Sequence, residues 1–323
     1  MGAKENLCII VPCYNEEDVL YEFYEVTNRI LEKDMNLSDY EILFVNDGSR
    51  DNTNDIIKEL SEKDEHVQFL TFSRNFGKES AMYAGLKYSN AEYTVIMDAD
   101  LQHPPEILCD MYKEMQSGQY DMIATRRKNR DTDTRFRAFC SRTFYKIMNK
   151  ISGIDMGNDA LDYRMFNKRA KKAMLAMTEY NRFSKGIFEW IGYRTKWIEI
   201  DIAERAAGNS KWSFRKLISY SLEGCVAFST MPLALSSLFG FVFCTIALLM
   251  IILMVVNSIV NGVNGSGFAS IICTVLLVGG VQLFCVGILG QYLAKAYLET
   301  KNRPIFLLQE MSEKKIEMYE DKE

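Results

Sequence analysis

Tyr93-Thr94-Val95-Ile96-Met97-Asp98-Ala99-Asp100-Leu101-Gln102-His103-Pro104-Pro105 joins an apolar run to a pair of carboxylates and then to a double proline. Tyr93 to Met97 reads as a buried strand, and Pro104 and Pro105 stop it from continuing as sheet. Asp98 and Asp100 are one residue apart, so on an extended segment both side chains leave on the same side. Two hard carboxylates so placed, with the Gln102 amide oxygen close in sequence, make a donor set for one Mg²⁺ or Mn²⁺. Such a pair can also merely solvate a turn, so its meaning depends on what other loops lie beside it.

The same pattern recurs upstream. Leu7 to Val11 is an apolar run ending at Pro12, and Glu16 to Leu31 has helical spacing through Val19, Leu20, Phe23 and Ile30. Ile42 to Val45 is a second strand closed by Asn46, Asp47, Gly48 and Ser49, and Asp51 or Thr53 is placed to cap a helix carrying Ile56, Ile57 and Leu60. Val67 to Phe72, a helix over Glu79 to Leu86, and a fifth strand over Met122 to Thr125 complete the alternation. Strands alternating with helices at this spacing imply parallel crossovers and a doubly wound α/β sheet, with ligands bound beyond the carboxyl ends of the strands. Tyr14, Asn15, Glu16, Asp47, Asp98 and Asp100 all fall there. An aromatic ring that stacks on a base, flanked by carboxylates that accept from base and ribose, is what nucleotide recognition requires.

Charge divides the chain into two materials. Its 323 residues carry 38 Lys and Arg and 43 Asp and Glu, for a net charge of −5, yet none of these lies between Gly224 and Ala294. Met231 to Val256 and Phe268 to Leu293 are uncharged runs, each long enough as a helix to cross a hydrocarbon layer of roughly 30 Å. Trp212, Phe214, Leu217, Ile218 and Tyr220 beside Lys211, Arg215 and Lys216 read as an interfacial amphipathic helix. Lys211, Arg215 and Lys216 before the first run, with Lys295, Lys301 and Arg303 after the second, put both flanks in the cytoplasm by the positive-inside rule. The start, MGAKENLCIIVPCYNEE, has too short an apolar run and too early an acidic cluster for a secretory signal. Eight cysteines without a CxxC read as reduced thiols.

From Arg126 to Lys150 nine Lys or Arg face two Asp, a run suited to phosphate. Nucleic acid is an improbable partner, since recognition-helix motifs and interleaved aromatics are missing and the chain is membrane-anchored. The phosphates expected are those of a nucleotide and a lipid. Part of the run is a solvated face or a contact with anionic headgroups. His103, ahead of two prolines, shapes the metal loop rather than acting as a base, and no Ser-His-Asp or Cys-His arrangement is legible.

Pro12-Cys13-Tyr14-Asn15-Glu16, Asn46-Asp47-Gly48-Ser49 with Asp51, Arg74-Asn75-Phe76-Gly77-Lys78 and the Asp98 to Pro105 segment together resemble the family 2 glycosyltransferases. More narrowly they resemble the polyprenyl-phosphate glycosyltransferases, the branch of the dolichyl-phosphate mannose synthases and the bactoprenol glucosyltransferases. The bacterial members also carry a juxtamembrane helix and two C-terminal spans, so the resemblance covers nearly the whole chain. It implies a Rossmann-like GT-A domain with a mainly parallel sheet, in which Pro12, Tyr14, Glu16, Asp47, Lys78, Asp98 and Ala99 bind the nucleotide. Asp98, Asp100 and Gln102 match the metal site, and Arg126, Arg137 and Ser141 the phosphate-binding stretch. Asp162-Tyr163-Arg164-Met165 resembles the Asp-Phe-Arg-Leu segment near the acceptor, which places Asp162 and Arg164 with Asp100 at the chemistry. Arg205, Gly208, Ser210, Lys211 and Trp212 match an R-x-x-G-x-S-K-W element, giving Arg205, Ser210 and Lys211 to the acceptor phosphate. The departure is at Gly157 to Asp162, where Asp159 competes with Asp162 for the acidic position.

The resemblance implies inverting transfer of one sugar, UDP-glucose being the leading donor, to undecaprenyl phosphate. UDP-N-acetylglucosamine and GDP-mannose are the alternative donors, and an inactive nucleotide-sugar-binding scaffold is the alternative of another class. A processive synthase is disfavoured by the lack of a Gln-x-x-Arg-Trp motif. The expected organisation is a catalytic domain over 1–210, an amphipathic helix over 211–230, spans over 231–256 and 268–294 around an external loop 257–267, and a cytoplasmic tail 295–323. The expected setting is the bacterial plasma membrane, with both termini cytoplasmic and a homo-oligomer, such as a tetramer, as the assembly.

Overall fold

In the computed structural model, which describes residues 6–128, 160–201, 231–261 and 267–320, β1 (Leu7–Cys13) is the hub of the sheet. It pairs in parallel with β2 (Tyr40–Asn46) on one side and β4 (Tyr93–Ile96) on the other, and β3 (Val67–Phe72) extends the parallel set beyond β2. Leu7 to Val11 and Ile42 to Val45 are wholly buried, as strands covered by helices on both faces must be. The crossovers are α1 (Leu20–Arg29), α2 (Thr53–Lys63) and α3 (Lys78–Tyr88), with α4 (Ile107–Gln116) after β4. A Cβ on Gly85 would stand 2.2 Å from Ile10 Cγ2, so glycine is what lets α3 lie this close to β1. Strand order reverses at β1, because β2 and β3 lie to one side and β4 to the other, and this opens a crevice at their carboxyl ends.

Several local expectations are corrected. The first helix begins at Leu20 rather than Glu16 and widens into a π turn over Ile30–Asp34. Residues 16 and 17 are not helical because their amides donate to Thr53 Oγ1 at 2.9 Å and Asp51 Oδ2 at 3.3 Å, tying this loop to the next one. Asp51 does serve the second helix, accepting from the Thr53 amide at 3.1 Å, while the Thr53 hydroxyl is turned to the Glu16 amide.

The α/β architecture with a mainly parallel sheet is as expected, and its far half adds an antiparallel strand. β5 (Met122–Arg127) does not join β4, because β6 (Ala160–Asn167) lies between them, antiparallel to both. The helices α5 (Lys168–Ala176) and α6 (Ser184–Trp190) follow, and β7 (Thr195–Ile200) pairs in parallel with β5. β6 alternates apolar with charged residues and so looks half exposed in sequence, but the Arg164 guanidinium is buried against Glu189 at 2.8 Å.

Two helices form a separate unit: α7 (Met231–Asn261) and α8 (Phe268–Thr300). Leu233–Asn257 and Leu277–Thr300 are long and apolar enough to cross a membrane. Both helices overrun the expected spans, since neither Asn257 nor Lys295 breaks a helix that is already propagating. They touch where the Cys285 thiol donates to the Ser236 carbonyl at 3.6 Å, and among the described side chains Phe241 is 71% and Leu283 75% exposed.

The chain then returns to the first unit. β8 (Leu308–Met311) adds antiparallel to β3 at the sheet edge, and α9 (Glu313–Glu320) follows it. The segment read as a tail over 295–323 thus contributes the eighth strand, completing the order β7-β5-β6-β4-β1-β2-β3-β8. Lys315, 2% exposed, pairs with the wholly buried Glu41 of β2 and donates to the Tyr88 carbonyl at 3.0 Å. Removing one member of a buried ion pair strands the other. Lys315→Met should therefore lower unfolding free energy by about 3–5 kcal/mol in denaturant titrations, and adding Glu41→Gln should recover much of the loss.

Candidate active site

The loops at the carboxyl ends of β1, β2 and β3 are stitched into one floor. Asn15 adopts a left-handed backbone, φ 55°, in which its amide donates to Ser49 Oγ at 3.0 Å and its Oδ1 accepts from the Arg50 amide at 2.9 Å. Asn46 accepts from the Ser49 amide at 3.0 Å and donates to Asn54 Oδ1 at 2.9 Å, closing the second loop. Gly48, at φ +65°, passes so near the third loop that a Cβ would meet the Arg74 carbonyl carbon at 2.5 Å. Asp47, 3% exposed, accepts from the Phe76 amide at 2.6 Å and the Gly77 amide at 2.9 Å. A carboxylate on the orphan amides ahead of a helix fixes where that helix begins, and here it sets Lys78 at the first position of α3.

Lys78 reaches across to β4 and β6. Its Nζ lies 2.7 Å from Asp98 Oδ1 and 2.9 Å from Asp162 Oδ2. The sheet explains the meeting: Ile96 pairs with Arg164 in the antiparallel ladder, and two further residues along each strand are Asp98 and Asp162. Desolvation opposes charge on Lys78 and Asp162, but their pairing overcomes it. Asp162 and Asp98 hold the Lys78 ammonium above the ordinary lysine range, and Lys78, with Lys185, holds Asp162 well below the ordinary carboxylate range. Glu79 is turned away from this group, its Oε2 accepting from the Ser184 amide at 2.9 Å and from the Ser184 hydroxyl. Burial pushes its carboxyl up.

Beyond β4, Ala99 is buried, Leu101 takes a left-handed φ of 53°, and the Gln102 amide donates to Asp100 Oδ1 at 3.2 Å. His103 is packed under this turn, 8% exposed, with its ring stacked on Tyr163 at 5.7 Å, and burial lowers its pKa. That placement agrees with a shaping role. Among the described residues no three His, Cys, Asp or Glu side chains converge on one point. The donor set of Asp98, Asp100 and Gln102 still fits a hard divalent ion in its chemistry, and the ammonium held by Asp98 shows that this carboxylate takes a cation partner.

The other expected residues separate into three groups. Pro12, next to last in β1, pairs with Val45, and Tyr14, 36% exposed, and Glu16 follow the strand at the crevice. Arg164 is not at the surface of the site: it is wholly buried, its guanidinium over the Phe188 ring at 4.5 Å and the Trp197 ring at 4.9 Å. It supports β6 from beneath, where an acceptor contact was expected. Arg126 on β5 faces Glu199 of β7, with 2.6 Å between the charged atoms. Arg137, Ser141, Asp159, Arg205, Ser210, Lys211 and the amphipathic helix lie outside the described residues. Sequence reasoning missed Glu79, Ser184 and Lys185, which no spacing links to Asp162; only the fold brings α6 to the start of α3.

Asp47 gives this floor a pH dependence. Burial, only partly offset by the Phe76 and Gly77 amides and by Arg74, pushes its carboxyl up to about 6. An unfolded Asp titrates near 3.9, so between about 4 and about 6 the folded state keeps a proton that the unfolded state has released. The stabilisation is full below the unfolded pKa and is lost as pH rises through about 6. Melting temperatures recorded across this window should fall more steeply with pH in the native chain than in Asp47→Asn; parallel profiles would contradict the assignment.

Comparison with known proteins shows the family of the chain. The sequence profile described as Glycosyl transferase family 2 matches residues 8–175, from β1 into α5. The prophage bactoprenol glucosyl transferase homolog of Escherichia coli (strain K12) is 35% identical over 302 residues, which span 94% of this chain and 98% of that protein. The bactoprenol glucosyl transferase of Shigella phage SfII is 36% identical, over 94% of this chain and 97% of its own. Among solved structures, the mannosyltransferase PcManGT of Pyrobaculum calidifontis in complex with GDP-Man and Mn²⁺ aligns with a TM-score of 0.45 at 17% identity, over 65% of this chain and 59% of that one. The profile match over more than half of the residues, and relatives aligned from end to end, show that this chain belongs to glycosyl transferase family 2.

Proposed function

We propose that the chain moves one sugar from a nucleotide sugar, UDP-glucose in the first instance, onto the phosphate of a polyprenyl lipid. The observation that carries the reading is the coexistence of two things in one chain. One is the Lys78, Asp98 and Asp162 cluster at the crevice between β1 and β4; the other is a pair of helices apolar enough to cross a membrane. The relatives named as bactoprenol glucosyl transferases, aligned through both parts, support the lipid acceptor and the glucosyl donor.

The chemistry divides among the chain's own residues. Tyr14 and Glu16 at the crevice offer a ring and a carboxylate to the nucleoside, and Asp47 keeps the floor beneath them in place. Lys78 brings a fixed positive charge to the position where the diphosphate must lie beside Asp98. Asp98, Asp100 and Gln102 would hold a Mg²⁺ or Mn²⁺, which when bound neutralises the diphosphate as it leaves. Asp162, held in its ionised form, orients Lys78 and cannot serve as an acid at neutral pH. The attacking group is an oxygen of the lipid phosphate, which forms a bond to the anomeric carbon as the bond to the nucleoside diphosphate breaks, with inversion. A phosphate monoester has a second pKa of about 6 and is mostly ionised at neutral pH, so no strong base is required. Arg126, Arg137, Ser141, Arg205, Ser210 and Lys211 are the groups assigned to the phosphates from sequence.

Connectivity supports the placement at a membrane surface. The sheet is built from segments on both sides of α7 and α8, so if each helix crosses the bilayer, both outer ends emerge on the same face. Lys211, Arg215, Lys216, Lys301 and Arg303 around these ends favour the cytoplasmic side.

Labelled UDP- and GDP-sugars offered to the purified chain with undecaprenyl phosphate, followed by lipid extraction, test the reading. UDP-glucose should yield the labelled lipid; label that stays aqueous with every donor would contradict it. Asp100→Asn should lower kcat/KM on the order of 100–1000-fold at saturating Mn²⁺ while leaving the melting temperature within a few degrees. Near-normal turnover would remove Asp100 from the metal site.

A further inference from the structure

The loop that delivers Lys78 is held from three directions. At its end, Asp47 takes the Phe76 and Gly77 amides. At its start, the Ser73 amide donates to the Leu307 carbonyl at 3.0 Å, a residue that lies after the second apolar helix. In its middle, the Phe76 ring stands edge-on to Phe72 at 5.8 Å and is covered by the Arg74 guanidinium at 4.0 Å.

Phe306 closes that aromatic group. Its ring stacks on Phe72 with centroids 5.0 Å apart and planes 14° from parallel, and meets Tyr83 at 6.4 Å and Tyr88 at 6.3 Å edge-on. Phe72 is the last residue of β3, while Tyr83 and Tyr88 belong to α3. One side chain therefore touches both the strand that feeds the loop and the helix that follows it. The rest of the returning segment is pinned further along the edge, where Ser312 donates to Gln68 Oε1 at 2.7 Å, Glu310 pairs with Lys58 at 2.7 Å, and Lys315 pairs with Glu41.

We propose that Phe306 is a positioning residue for Lys78. By stacking on Phe72 it fixes the 73–77 loop and the start of α3 so that the ammonium meets Asp98 and Asp162. The segment that follows the second apolar helix is thereby part of the nucleotide site, although it touches no expected substrate position. The kinetic arm of the test below rests on the proposed function; the chemical arm does not.

The test uses the full chain and four variants: Phe306→Ala, Phe306→Leu, Phe306→Tyr and Ser312→Ala. Acetylation by an N-hydroxysuccinimide ester, mapped by peptide mass spectrometry, reads how firmly each lysine amine is engaged by its neighbours. In the native chain Lys78, engaged by Asp98 and Asp162, should react more slowly than the exposed Lys172 of α5. Phe306→Ala should speed Lys78 acetylation by about fivefold or more and lower kcat/KM for the nucleotide sugar by a similar factor, with Lys172 unaffected. Phe306→Tyr should behave as the native chain, because the ring is kept. Ser312→Ala should also do so, because it loosens the same strand away from the loop. If Phe306→Ala fails to fold, Phe306→Leu, which keeps apolar bulk but not the stack, replaces it. An unchanged Lys78 rate in the folded variant, or an equal rise in Ser312→Ala, would overturn the proposal. Faster labelling with unchanged kcat/KM would uphold the positioning and instead remove Lys78 from the reaction.

Discussion

Two carboxylates at the crevice, Asp98 at the end of β4 and Asp162 on β6, are tenable beside one another because the Lys78 ammonium lies between them. This shared cation ties together three pieces of chain that sequence keeps far apart. Its geometry has prerequisites throughout the sheet. β6 must enter antiparallel to β4 for Asp162 to reach Asp98, and α3 must begin at Lys78 and not a residue later. Asp47, Gly48 and the contact of Gly85 with Ile10 serve the second condition, while the buried Arg164 and Glu189 pair supports the first. Under the proposed function, a diphosphate and its counter-cation would join this balance of anions and cations in a partly water-excluded space.

The joining of the two materials in the chain follows from the path of the backbone. The sheet is finished only by residues that come after both apolar helices, so the catalytic unit and the helices cannot be regarded as a soluble enzyme with an appended anchor. Glu41 in the interior of β2 waits for Lys315, and the β3 edge waits for β8. Until that segment docks, β3 presents an unpaired edge and a buried carboxylate lacks its partner. The β3 edge and Glu41 are thus completed only by residues that follow both apolar helices in the chain.

Much of this was readable in the residues. Apolar runs marked β1 to β4, and the Asn, Asp and Gly at the end of β2 and the Asp after β4 marked their loops, because a strand buried on both faces carries few polar positions to confuse the pattern. The loops expected to hold nucleotide and metal follow from the same runs, since they sit where the runs stop. Pairing partners were not legible: β6 carries Asp162 and Arg164 among apolar residues, and nothing local says that it inserts between β4 and β5. β8, with the sequence Leu-Gln-Glu-Met, was too short and polar to read as a strand, and its place depends on contacts with residues far away in sequence such as Gln68. Arg164 was misplaced for a related reason. An arginine in an acceptor-like motif reads as exposed until the carboxylate and rings that bury it, Glu189, Phe188 and Trp197, are known.

The central claim is that the sugar passes to a phosphate oxygen of a polyprenyl lipid by a single displacement. Phosphorus and proton magnetic resonance of the lipid product formed from UDP-glucose tests this most directly. The account predicts one phosphodiester resonance in place of the monoester, coupled to an anomeric proton of the β configuration, opposite to that of the donor. A pyrophosphate pair of resonances, or an α-linked product, would contradict it.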